Sequence, residues 1–193
     1  VNLNAQVEPY RQLLNVQVRY DGTVTDDHDE VWLSHAQQRD WASLVALIMT
    51  LPGKLDAQLK HEAGINFFEY NILVSLSDAP DHVRVMSDLA GLARGSLSRL
   101  SHAVSRLESV GWVERRSCGG AGRRTEAILT ETGWQELQRI APSHVREVRR
   151  LVVDAMGADQ LEHLGSAARL IVTAADPALA ETLASAIDHR PAG

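Results

Sequence analysis

Residues 96–109 constrain this chain most. Leu97, Leu100, Val104 and Leu107 recur at spacings of three, four and three, which gathers them on one face of an α-helix. The opposite face presents Ser98, Arg99, His102, Ser105 and Arg106, with no acid until Glu108. A second short helical stretch, about 86–93, precedes it, and Gly95 stands between the two, as a tight helix–turn–helix corner requires. A short extended piece, His82 to Val85, leads in. Trp112 to Arg116 reads as a strand, the loop from Ser117 to Arg124 is rich in glycine, and Thr125 to Leu129 reads as a returning strand. The spacing therefore predicts two helices meeting at a corner, followed by a β-hairpin with a basic tip.

Charge singles out the same segment. From Arg84 to Arg124 there are eight arginines and three acids (Asp88, Glu108, Glu114), although the whole chain carries −6. One basic stretch inside an acidic protein is the electrostatic footprint of a nucleic-acid-reading module. A helix that enters the major groove needs one stripe to anchor it and another offering hydroxyls and arginines to phosphates and guanine edges. A glycine-rich loop carrying Arg123 and Arg124 suits a narrow minor groove, where the potential attracts arginine. The loop runs from strand to strand and has no lysine, so it is not a nucleotide phosphate loop.

The rest of the chain reads mostly as helix. From Ser34 to about Glu62, Trp41, Leu44, Val45, Ile48, Leu51, Leu55 and Leu59 recur at helical spacing, with a kink expected at Pro52. Gly64 ends that helix. Asn66 and Glu69 form a capping pair for the next, which carries Tyr70, Ile72, Leu73 and Leu76. Thr130 caps a helix expected to reach Met156 with a bend at Pro142, and further helices cover about 159–174 and 178–188. In residues 1–31, alternation around Leu14 to Tyr20 and the turn Asp21-Gly22 suggest a hairpin, or else a flexible extension.

The stretches Met86-Ser87-Asp88-Leu89-Ala90, Ser96-Leu97-Ser98-Arg99-Leu100-Ser101-His102, Arg106-Leu107-Glu108, Ser117 to Thr125 and Leu129-Thr130-Glu131-Thr132-Gly133 resemble, in order and spacing, the MarR family of bacterial regulators. The likeness spans about Trp41 to Leu164. It implies a mostly α-helical winged helix-turn-helix with a small β-hairpin wing, in an intertwined homodimer. It implies a sequence-specific regulator of transcription that binds double-stranded DNA at a pseudo-palindromic operator, and more often represses than activates. Residues 81–130 would then be the DNA-binding region. Residues 32–80 would supply a dimerisation helix and a core helix, 131–176 the C-terminal dimerisation helices, 1–31 an extension and 177–193 a tail. Ser96, Ser98, Arg99, Ser101, His102, Ser105 and Arg106 fall in the recognition helix, and Arg123, with Arg124 beside it, in the wing. The family often has an acid two residues before the wing arginine; here that position is Ala121.

Many members of the family release DNA on binding a small, often phenolic ligand between the dimer helices and the winged domain. Trp41 and Tyr70 lie on the helices that would line such a pocket, although aromatics at helical spacing are usually core. Cys118, the only cysteine, sits near Arg115, Arg116 and Arg123, surroundings that favour a thiolate and oxidation, so a redox-responsive regulator is one alternative. A winged-helix interaction module that does not read DNA is another. No enzyme motif, cofactor fingerprint or paired-histidine metal motif is present. No apolar run approaches a membrane span, no secretory pattern opens the chain, and a cytoplasmic location is expected.

Overall fold

The computed structural model describes residues 33–92, 96–118 and 124–188. The chain divides into two compact units, Val1–Lys54 and Leu55–Gly193. The hairpin expected in residues 1–31 lies outside the described residues.

The first unit is described from residue 33. Ser34 and Gln37 cap each other reciprocally, Ser34 N–H donating to Gln37 Oε1 (2.8 Å) and Gln37 N–H to Ser34 Oγ (3.3 Å). Helix α1 begins there and runs His35–Ala63, with Pro52 inside it. Trp41, Leu47, Ile48 and Met49 are exposed large apolar side chains on its first half.

In the second unit α1 buries Leu55 and Leu59 and ends at Gly64, whose φ of +69° only glycine adopts without strain. Helix α2 (Phe67–Ser77) opens with the capping box read from the sequence. It buries Tyr70, Ile72, Leu73 and Leu76, and so forms the axis of the core. A tight turn at Pro80–His82, with Asp81 and His82 both at positive φ, leads into β1 (Val83–Val85). Helices α3 (Met86–Leu92) and α4 (Leu97–Ser109) follow, then β2 (Val113–Cys118), β3 (Arg124–Leu129) and α5 (Glu131–Val148). The sheet has three antiparallel strands in the order β1-β3-β2. The sequence reading had a two-stranded hairpin; the extended piece at 83–85 adds the third strand by pairing Val83–Val85 with Ile128–Glu126.

Side chains from α1 to α5, β2 and β3 meet in one core: Leu59, Ile72, Leu73, Leu76, Leu89, Leu100, Val104, Leu107, Val113, Leu129 and Ile140 are almost fully buried. Each such residue contributes about 1.5–3 kcal/mol against leaving it in water. Thr130 caps α5, its Oγ1 accepting Gly133 N–H (3.0 Å) and donating to Gly111 O (2.7 Å).

Helix α5 stops at Val148, short of the expected Met156. Arg149–Val153 continue as one wider π-helical turn, closed by Asp154 N–H donating to Arg149 O at 2.7 Å. Arg149 Nη2 reaches Asp154 Oδ1 at 2.7 Å across that turn. Helices α6 (Ala158–Ala175) and α7 (Pro177–Asp188) pack on each other. Asp176 Oδ1 accepts Leu179 N–H (3.0 Å), and Pro177 takes the first helical position, where its missing N–H costs nothing. Helix α6 buries no residue.

Candidate nucleic-acid interface

Ser96 caps α4: its backbone is extended and its Oγ accepts Arg99 N–H at 3.2 Å. Leu100, Ala103, Val104 and Leu107 are buried beneath the helix, while Ser98, Arg99, His102, Ser105 and Arg106 are exposed and Ser101 is half-buried. The divided helix read from the sequence is therefore present, with one correction. Leu97, expected in the apolar stripe, is 60% exposed. Side chains tilt toward a helix N-terminus, so at the first helical position Leu97 projects past the core that the later turns cover.

Helix α2 shapes the outer face. Its Phe68 ring lies under the Arg99 guanidinium, 4.2 Å from the ring centre. Its Glu69, 1% exposed, pairs with Arg106, which is 62% exposed. A cleft of about 440 Å³ opens here, lined by Phe68 and Glu69 of α2 with its cap Asn66, and by Arg99 and Arg106 among others of α4 with its cap Ser96. Ser105 Oγ accepts from Arg115 Nη2 (3.0 Å), and Arg115 Nε donates to Glu108 Oε2 (2.9 Å), which ties β2 to α4. That hydrogen bond holds the Glu108 carboxyl below its ordinary range.

Several of the segment's arginines thus have internal partners. Arg84 Nε donates to Ser75 O (2.7 Å) and Arg116 bonds Glu126 across the sheet (2.8 Å), in addition to Arg106 and Arg115. The sequence count of cations did not foresee this, because the partners Glu69, Ser75 and Glu126 come from α2 and β3. The one available signal was Glu69 itself: a capping glutamate uses one oxygen at the helix start and leaves the other to find a partner. At the hairpin, Arg124 is exposed and its backbone registers with Cys118. Arg123 and the loop glycines lie outside the described residues, as does the Cys118 side chain.

Trp41 is 42% exposed on α1. Tyr70 is buried, its ring 4.4 Å from that of His144 on α5. His144 Nδ1 bonds Gln58 Oε1 at 3.0 Å, and Gln58 Nε2 donates to Ser143 Oγ at 3.1 Å. Burial pushes the Tyr70 phenol up and the His144 imidazole down from their ordinary values. The sequence reading missed this polar pair inside the core. Among the described residues no group of three His, Cys, Asp or Glu side chains could hold a metal ion, and no helix is long and apolar enough to cross a membrane.

Among solved structures, the chain is similar to Sco3205, a MarR family transcriptional regulator from Streptomyces coelicolor, in complex with DNA. Identity is 39% over 76% of this chain and 96% of that one, with a TM-score of 0.73. It is similar to AbsC, a MarR family transcriptional regulator from the same organism, at 33% identity over 80% of this chain and 98% of that one, with a TM-score of 0.66. The PcaV transcriptional regulator from Streptomyces coelicolor, in complex with its natural ligand, shares the fold at 17% identity, over 75% of this chain and 99% of that one, with a TM-score of 0.62. No family model matches the chain, and no curated protein matches it.

Proposed function

The chain belongs to the MarR family of transcriptional regulators, and from that premise we propose that it is a cytoplasmic homodimer that binds a pseudo-palindromic DNA operator and represses transcription until a small, phenolic ligand releases it. The observation that carries this reading is α4: an amphipathic helix anchored by four buried residues, with Ser98, Arg99 and His102 turned to solvent. In this reading residues 81–130 are the DNA-binding region, α4 lies in the major groove, and the wing around Arg123 and Arg124 reaches the minor groove. Arg106 completes the reading face, and Ser96, Ser101 and Ser105 flank it. The dimer is formed by residues 32–80 and 131–176, whose exposed apolar side chains, Ile48, Met49, Leu170 and Ile171 among them, support a covering partner. A ligand contact at Trp41 is favoured by its exposed indole, whereas Tyr70 would act from inside the core.

The test is binding to duplex from the region upstream of the protein's own gene, with excess nonspecific competitor and at two salt concentrations. Saturable binding that survives competitor and weakens steeply with salt is expected. No binding at low salt would overturn the reading. Arg99→Ala is expected to cost about 1–3 kcal/mol of binding and to relax preference at one base; equal loss on every operator variant would make Arg99 a phosphate contact instead.

A further inference from the structure

The first turn of α2 lies beside the outer face of α4, and its contacts fall on two arginines. Phe68 sits beneath Arg99 and the next residue, Glu69, holds Arg106. Glu69 is almost wholly buried, and a buried carboxylate is costly unless paired and hydrogen-bonded. It has both kinds of partner. Its Oε2 accepts Asn66 N–H at 2.9 Å, Asn66 Oδ1 accepts Glu69 N–H at 2.9 Å, and its Oε1 faces the Arg106 Nη2. One side chain closes the start of α2 and fixes an arginine of α4.

An arginine near DNA has two kinds of target. A phosphate carries full charge and attracts a free guanidinium whatever the sequence, whereas a base edge is neutral and is read by geometry. A carboxylate beside the guanidinium offsets much of its charge yet occupies only part of its five donors. Attraction to phosphate therefore falls more than hydrogen bonding to a base edge, and the side chain is held in one place. We propose that Glu69 is a positioning residue that sets DNA specificity: it keeps Arg106 from acting as an indiscriminate phosphate clamp and presents it in one orientation. This rests on the DNA-binding reading given above.

Glutamine serves at the third position of a capping box as glutamate does. Glu69→Gln therefore keeps the start of α2, its one oxygen accepting Asn66 N–H, and releases Arg106, because the amide nitrogen left facing it carries no charge and accepts no hydrogen bond. The full-length protein, Glu69→Gln and Arg106→Gln are titrated over a salt series against two duplexes. One has mixed sequence; the other is enriched from a random pool by the unaltered protein. For Glu69→Gln, the slope of log affinity against log salt on mixed sequence is expected to steepen by about 0.9 per subunit, one further phosphate neutralised. Its preference for the enriched duplex is expected to fall by about fivefold or more. Arg106→Gln should lose that preference with no steepening. A pair that serves only structure would move both variants alike, weakening both duplexes with unchanged slopes; that result, or a Glu69→Gln protein indistinguishable from the unaltered one, overturns the proposal alone. If the unaltered protein binds neither duplex at low salt, or enriches none, the DNA reading falls with it.

Discussion

In α4, Leu100, Val104 and Leu107 are sealed from water within one chain, whereas α6 carries Leu161, Leu164, Leu170 and Ile171 and buries none of them. Both helices are amphipathic by sequence. What differs is what the fold supplies beneath the stripe: β2, α2 and α3 under α4, and chiefly α7 and the π-helical turn against α6. An apolar stripe states a demand for a surface and does not say whether the same molecule meets it. Leu170, 73% exposed, leaves that demand open.

The largest test of this contrast is truncation in α4. Leu107→Ala should lower stability by about 2–5 kcal/mol, read from the urea midpoint, because it opens a cavity in a closed core. Leu170→Ala, measured at concentrations too low for association, should change the midpoint little. Equal losses at the two sites would erase the difference between the helices. Next in size is the charged pair Leu170→Asp with Ile171→Asp. Sedimentation should shift from dimer to monomer, and operator affinity should drop at least tenfold as the two half-sites uncouple. A dimer that persists would move the interface elsewhere.

The smallest effect concerns the polar pair at the edge of the closed core. Burial lowers the His144 pKa from its ordinary value of about 6.5, opposed in part by the nearby Glu147 charge. The unfolded chain therefore takes up a proton that the folded one resists. Stability is full above about pH 6.5 and declines as pH falls from there through the folded value. His144→Gln should flatten that decline in urea midpoints between neutral and mildly acid pH; an unchanged slope would assign it to other groups.

Local signals carried the element order: Asn66 with Glu69, Thr130, and, Leu97 apart, the periodicity of residues 96–109 all reappear as built. What stayed hidden was long-range. The extended piece at 82–85 was legible, but three residues have too short a pattern to name a pairing partner, and that partner lies beyond the whole helix-turn-helix. The π-helical turn at 149–153 has no pattern of its own, since Glu147, Arg149 and Arg150 suit an ordinary helix as well. At the candidate interface the sequence identified the outward face, but it treated its cations as interchangeable. Only the approach of α2 distinguishes Arg99, lying over a ring, from Arg106, held by a buried carboxylate.

The pairing of β1 with β3 also governs how this protein is made. Arg84 registers with Ala127, so the backbone between them, which contains α3 and α4, is a loop of roughly forty residues closed by three strand positions. Closing it costs chain entropy before any of its contacts repay the cost, and contacts this distant slow folding. During synthesis α4 can emerge and turn helical against α2 and α3, but its floor is not finished until β2 has left the ribosome, nor is the clasp closed until β3 follows. A fragment ending after α4 would therefore show the apolar side of that helix to whatever it met first, and grafting α4 onto another scaffold would require bringing the clasp along with it.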